Sequence, residues 1–475
     1  MLIIIRGLPG TGKSTLSRKL AERLDAVHIS SDNLRLKLVE KRTYSEREKM
    51  MVYEKMIENA VEFLRRNKNV ILDATFYKRE LLEKARKAAE ELKKSCILVE
   101  CILSEEKVKE RIAQRDKNKD ESEADFQVYK KVKSDFEEIT EGHLFIDTSE
   151  QLESQVSKVL DYSKNFGGDG EAVDTHISQI YFVNGLVYKI KKPVRFTFLD
   201  FSTLEKRRFY CEEEVRLNKR LCPDIYLGVV KAMRHFGGYL FGEEGEEYAV
   251  KMKKMPAERQ MDNLLARGEV TARDVEKIAE IIADFHQKIA VVRDKRYGNP
   301  ELINTQVNDI LNHIDAIDKA TGLGDVVKAA LNRCGDFYKK NKSLFAKRQE
   351  SGFIKECHGD LHSANIVLAE KIYIFDCIEF NPDFRNIDVA SEIAFMAMDL
   401  DAYEREDLSA VFINRYLGIT KDKGASILLN YYKCYRANVR AKVAAIEYAQ
   451  NPNVDSAKKI TKYVNLMERY SKLLS

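Results

Sequence analysis

The feature that most constrains this chain is the eight-residue stretch GLPGTGKS at positions 7–14, set between an apolar run at 2–5 and an amphipathic pattern at 13–24. A Gly-rich turn between a strand and a helix lets backbone N–H groups wrap a phosphate, and the helix N-terminus adds positive potential there. Gly7, Pro9, Gly10, Thr11, Gly12, Lys13, Ser14 and Thr15 are therefore the expected phosphate cradle. In such a loop the lysine reaches the β- and γ-phosphates and the hydroxyl after it ligates the metal. Those places fall to Lys13 and Ser14, with ATP and Mg²⁺ as the expected ligands.

Apolar runs at 2–5, 26–29, 69–72, 96–102 and 144–146 alternate with amphipathic stretches such as 13–24 and 80–94. That alternation predicts a parallel sheet with helices on both faces. Residues at the carboxyl ends of such strands face the ligand crevice, and Asp32 and Asp73 stand after the second and third runs. Asp73 is expected to join Ser14 at the metal. Asp32 reads as a base for an attacking hydroxyl or as a helix N-cap, and the two roles are compatible. Arg35, one helical turn on, is placed to hold a phosphate or orient the acceptor.

The loop followed by SDxxR, then by a strand ending DAT, resembles the polynucleotide kinase, zeta-toxin and gluconate kinase group over roughly residues 1–150. The resemblance implies that Asp32 is the general base and that Arg35 assists the transferring phosphoryl group. It also implies an arginine-bearing lid over ATP, for which RIAQR at 111–115 supplies Arg115. The charged stretch at 116–125 beside it reads equally as a solvated face. Lys37, Lys41, Arg42, Arg47 and Arg79 suit a polyanionic acceptor or are plain solvated surface.

A turn-rich NFGGDG at 165–170 suggests a boundary, giving a P-loop domain over 1–163, a linker over 164–173, and a second domain over 174–475 with a β-rich lobe (174–255) and a helical lobe (256–475). In the latter, HGDLHSAN at 358–365 is followed by Asp376 at the end of the apolar run KIYIFD. Kinase-type phosphoryl transfer uses one Asp at the hydroxyl proton, an Asn five residues on at the metal, and a later strand-end Asp at the same metal. Asp360, Asn365 and Asp376 fit those places. The motif resembles the aminoglycoside phosphotransferase and choline kinase superfamily over 173–475, which implies Asp360 as catalytic base with Asn365 and Asp376 on Mg²⁺.

That fold also implies a β-lobe lysine paired with a helix glutamate. Lys189 fits best, with Lys191 on the same strand face, and Glu213 is preferred to Glu214. There are departures: no GxGxxG precedes Lys189, and FDCIEF at 375–380 replaces DFG, which argues against a regulated protein kinase. Arg385 and Asp388 are expected to pair in support of the loop, and His362 to be structural, because Mg²⁺ takes oxygen ligands. The module order and FLDFSTLEKRR at 198–208 resemble an uncharacterised family fusing the two modules. The expected fold is thus an α/β P-loop kinase followed by an α+β bilobal, protein-kinase-like domain.

At 475 residues the chain exceeds one domain of roughly 100–200 residues. Its 44% hydrophobic and 33% charged composition is that of a globular protein, and a net charge of +4 does not mark a nucleic-acid binder. No run suits a signal peptide or membrane span. Eight scattered cysteines without a CxxC pair predict reduced thiols and a cytoplasmic location. The expected activity is transfer of the ATP γ-phosphate to hydroxyl acceptors at two sites. The first acts on a nucleic-acid 5′-hydroxyl, RNA or DNA, or on a small metabolite, and the second on a small molecule. The alternatives are one catalytic half gated by a nucleotide-binding half, or a nucleic-acid end-repair protein. No acidic pocket for polycationic aminoglycosides is indicated.

Overall fold

The computed structural model describes residues 1–39, 43, 45–114 and 125–474. The chain forms two compact units. The first holds 1–195, 201–211 and 227–254; the second holds 196–200, 212–226 and 255–475.

In the first unit, β1 (Leu2–Arg6), β2 (Val27–Ser30), β3 (Val70–Asp73), β4 (Cys96–Ile102) and β5 (Leu144–Asp147) form a parallel sheet in the order β2-β3-β1-β4-β5. The central strands are apolar on both faces because helices cover both. Leu2 and Ile4 enter one core with Val52, Leu72 and Leu82, while Ile3 and Ile5 enter the other with Leu16, Leu20 and Val159. The helices are α1 (Lys13–Leu24), α2 (Ser31–Leu38), α3 (Glu46–Arg65), α4 (Arg79–Glu91), α5 (Glu105–Ala113), α6 (Phe126–Ser134) and α7 (Leu152–Asn165). The five apolar runs are thus the five strands.

The same unit carries a seven-stranded sheet. Its strands lie in the order Phe166–Gly168, Gly238–Gly242, Tyr226–His235, Glu247–Lys253, Leu186–Lys191, Ser178–Val183, Val173–Asp174. Neighbours such as Ser178–Val183 and Leu186–Lys191 run antiparallel. Here the structure differs from the expected linker at 164–173. Phe166 belongs to the core under the parallel sheet, Phe236 to the core above it, and the Tyr162 hydroxyl lies 2.7 Å from His235 Nδ1. A Cβ on Gly168 would stand 2.6 Å from Ser95, so only glycine permits this approach. The Gly-rich composition that looked like a flexible turn serves close packing.

The second unit is mostly helical. Helix Val389–Ala402 is buried along its whole length, among Ala272–Lys288, Glu406–Thr420, Lys423–Gln450 and Val454–Lys472. Two antiparallel ladders, Ile354–Glu356 with Asn386–Asp388 and Ile366–Leu368 with Ile372–Ile374, hold the 357–376 segment. The expected Arg385–Asp388 pair does not form. Asp388 binds the buried Arg348 at 2.7 Å, and Arg385 binds Glu356 at 3.3 Å. No helix among the described residues is long and apolar enough to cross a membrane.

Candidate functional site

The glycine-rich turn leaves β1 and enters α1 directly. Gly7, Gly10 and Gly12 have φ of 150°, 83° and 86°, and a Cβ on Gly7 would stand 2.6 Å from the Cys101 carbonyl oxygen. Lys13 crosses the turn and donates to the Leu8 carbonyl at 2.9 Å. The Thr148 hydroxyl donates to the Thr11 carbonyl (2.7 Å) and receives Arg111 of α5 at 3.2 Å, which ties that arginine to the loop. Arg115, the expected lid residue, lies outside the described residues, as do Lys41 and Arg42.

A cavity of about 420 Å³ opens on the turn, and Lys13, Ser14, Asp32, Arg35 and Asp73 all line it, so the structure brings these expected residues together. The cap of α2 is Ser30, whose hydroxyl accepts from Asn33 N, so the N-cap alternative for Asp32 falls to its neighbour. Asp32 stands in the first turn with its carboxylate 3.2 Å from Arg35. Arg35 also reaches Glu48 of α3 at 3.0 Å, so its guanidinium is shared between two carboxylates. Asp73 is buried at the end of β3, with His28 Nε2 3.1 Å from its Oδ2. Glycines that a Cβ would obstruct and the oxygen donors of Ser14 and Asp73 fit a nucleotide phosphate with Mg²⁺.

Sequence reasoning missed the far wall. Tyr53 and Lys49 from α3, Tyr77, and Lys131 and Asp135 around the end of α6 line the same cavity. The Tyr53 hydroxyl accepts from Phe76 N–H at 2.9 Å, and burial pushes its pKa up. Tyr53 and Lys49 sit one helical turn apart on one face of α3, a spacing visible in the sequence but without a motif to flag it.

In the second unit the HGD segment is an interlocked loop. His358 Nε2–H donates to the Phe375 carbonyl at 2.8 Å, and its Nδ1 accepts from Asp360 N at 3.3 Å. Burial holds its pKa down, in keeping with a neutral ring. Asp360 accepts from Asn365 Nδ2 (3.1 Å) and lies 3.2 Å from His362 Nε2. Burial alone pushes the Asp360 carboxyl up, but His362 and Arg440 outweigh it and hold the carboxyl well below the usual range. His362 is thus a hydrogen-bond partner of Asp360. Among the described residues no donor bonds Asn365 Oδ1. Asp376 has the left-handed φ of 63°, uncommon for a residue with a side chain, and donates its N–H to the Tyr226 hydroxyl at 3.3 Å. Carboxylates and an amide oxygen again suit Mg²⁺.

The loop's support was not legible as a motif. Glu392 accepts from Gly359 N (2.6 Å) and His358 N (3.1 Å), and His286 Nε2 lies 2.8 Å from the same carboxylate. Burial pushes Glu392 up, but His286 and the loop amides bring it down to about 2. Cys357 completes a metal-like cluster with His286 and Glu392, yet the glutamate and histidine are already bonded to each other and to the loop. The Glu213 carboxylate is held by Arg216 (2.7 Å) and Arg385 (3.5 Å), whereas Glu214 is fully buried. On the β-lobe strand Lys191 is buried, 4.9 Å from the Phe201 ring, and Lys189 is half-buried. All eight cysteines are free and buried.

A family model described as an AAA domain matches residues 2–139. Uncharacterized proteins of Mycobacterium tuberculosis and Mycobacterium bovis are 29% identical over 290 residues, covering 58% of this chain and 55% of theirs. The chain therefore spans about half the length of the curated relatives it matches. Among solved structures, a sugar kinase from Janibacter sp. is 14% identical with a TM-score of 0.29, covering 34% of this chain and 92% of that one. A gluconokinase from Sinorhizobium meliloti is 19% identical with a TM-score of 0.27, covering 34% and 89%.

Proposed function

We propose that the P-loop cavity transfers the γ-phosphate of ATP to a hydroxyl acceptor. The observation that carries this reading is the convergence of Lys13, Ser14, Asp32 and Asp73 on one cavity of about 420 Å³. In this scheme the turn and Lys13 hold the β- and γ-phosphates, and Ser14 and Asp73 hold Mg²⁺. Bound Mg²⁺ supplies charge neutralisation on the phosphoryl oxygens. Asp32 takes the proton of the attacking hydroxyl while Arg35, braced by Glu48, keeps its carboxylate aimed. Tyr53, Tyr77, Lys49 and Lys131 form the acceptor wall. A small metabolite or a 5′-hydroxyl RNA or DNA end are the acceptor classes to try.

A second reading is favoured by the Asp360–His362–Asn365 cluster and the strained Asp376. The second unit is a further phosphotransferase, with Asp360 as base and Asn365 and Asp376 at the metal, as in the aminoglycoside phosphotransferase-like kinases. The test is transfer from γ-labelled ATP to 5′-hydroxyl RNA and DNA, sugars and nucleosides by wild type, Lys13→Ala and Asp360→Ala. Each substitution is expected to abolish transfer to a different acceptor. If one abolishes everything, the other unit is a nucleotide-binding regulator.

A further inference from the structure

Beside the second unit's loop stand two cations, Arg440 and Lys462, that feel the carboxylates of Asp360, Asp399 and Glu404 without forming a direct ion pair with any of them. On helix Lys423–Gln450, Arg436 donates to the Gly359 carbonyl at 3.2 Å and lies 4.8 Å from the Phe395 ring, against which His362 packs at 5.5 Å. Arg440 is one turn further along the same face, so it too faces the Asp360 loop. Its guanidinium lies 5.5 Å from the Tyr463 ring. The Lys462 ammonium lies 4.9 Å from the Tyr403 ring and 5.7 Å from Tyr463. Tyr403 directly follows the buried helix whose Asp399 accepts from Ser363 N at 2.8 Å, again on the loop.

Two other cations of helix Lys423–Gln450 are paired directly, Lys433 with Asp401 and Lys442 with Asp309, both at 2.6 Å. Among the described residues neither Arg440 nor Lys462 makes an ion pair. An aromatic seat is worth only about 0.5–2 kcal/mol, less than a direct bond to an anion. We propose that Arg440 and Lys462 clamp an anionic group of the acceptor, so that the second unit phosphorylates a hydroxyl on a small molecule bearing a phosphate or a carboxylate. This rests on the reading of Asp360 as a phosphotransferase base. Burial, with a smaller push from Arg440, holds the Lys462 ammonium below its ordinary pKa against the pull of Asp399 and Glu404. A cationic acceptor meets repulsion from the same pair. In the step, the acceptor oxygen forms a bond to the γ-phosphorus as the bond to the ADP oxygen breaks, and the hydroxyl proton passes to Asp360.

The experiment is calorimetric titration of the full chain carrying Lys13→Ala, in the presence of Mg²⁺ and a non-hydrolysable ATP analogue. The probes are glycerol 3-phosphate, glycerate, glycerol and choline. The expected result is binding of an anionic probe but not of glycerol or choline. Arg440→Gln and Lys462→Gln are each expected to weaken it at least about tenfold, since a charge-assisted hydrogen bond is worth that much. Lys442→Gln, on the same helix but paired to Asp309, is expected to leave it unchanged. Thermal melting of each variant separates a lost contact from a lost fold. Absence of anion binding, preference for choline, or binding indifferent to both substitutions overturns the proposal. If the Lys13→Ala chain binds no nucleotide that Asp376→Asn removes, the phosphotransferase reading of the unit fails first, which is a distinguishable result.

Discussion

At the scale of single residues, the two candidate bases are held by different means. Asp32 sits beside Arg35 on a helix turn, and Asp360 sits among His362, Asn365 and the loop backbone. Asp32→Asn is expected to lower kcat at the first site by about 10²–10⁴ with little change in the KM for ATP, because a positioned base contributes that factor. Lys13→Ala is expected to act chiefly on ATP affinity. Steady-state kinetics on the first site's acceptor separates the two effects. Glu392 gives a pH prediction. Folding lowers its carboxyl from 4.5 to about 2, so its contribution is complete above about pH 4.5 and is lost as pH falls toward 2. Glu392→Gln is expected to cost about 3 kcal/mol at pH 7, since it breaks a buried hydrogen-bonded charge. In urea titrations from pH 7 to 3, the gap to wild type should narrow below 4.5, and a constant gap contradicts the assignment.

At the scale of elements, the P-loop region was largely legible. The apolar runs, the helix at 13–24 and the acidic strand ends appear where period and strand-end logic put them, because central parallel strands are apolar throughout and short. The stretch 164–173 was misread because glycine signals both turns and close packing, and only the neighbour decides which. Its strand Phe166–Gly168 lies against Ser95 and both cores of the parallel sheet receive residues of the junction. Gly168→Val is therefore expected to destabilise by about 2 kcal/mol through overpacking, and Phe236→Ala by about 3–4 kcal/mol through a cavity. Chemical denaturation should show the parallel sheet and the seven-stranded sheet melting together. Loss of the antiparallel sheet alone runs against a shared core.

At the scale of the whole molecule, the two proposed transfer sites stand on two compact units of one chain. The expected consequence is separability: Lys13→Ala and Asp360→Ala each leave one transfer activity, and the double substitution leaves none. Product analysis from labelled ATP checks it, and an inability of either unit to bind ATP counts against the paired reading.

What the sequence determined by itself is the local geometry that depends on short spacing. GLPGTGKS with its flanking strand and helix, and HGD with Asn365 and Asp376, are local patterns, and local geometry is set by a few adjacent dihedrals. What only the tertiary structure decided is which distant groups complete each site. Glu48 braces Arg35, and Glu392 and His286 hold the HGD loop. Arg385 and Asp388, three residues apart, found partners elsewhere, in Glu356 and Arg348. A buried charge takes the counter-charge that packing brings within about 3 Å, and packing is a property of the folded chain, not of separation along it.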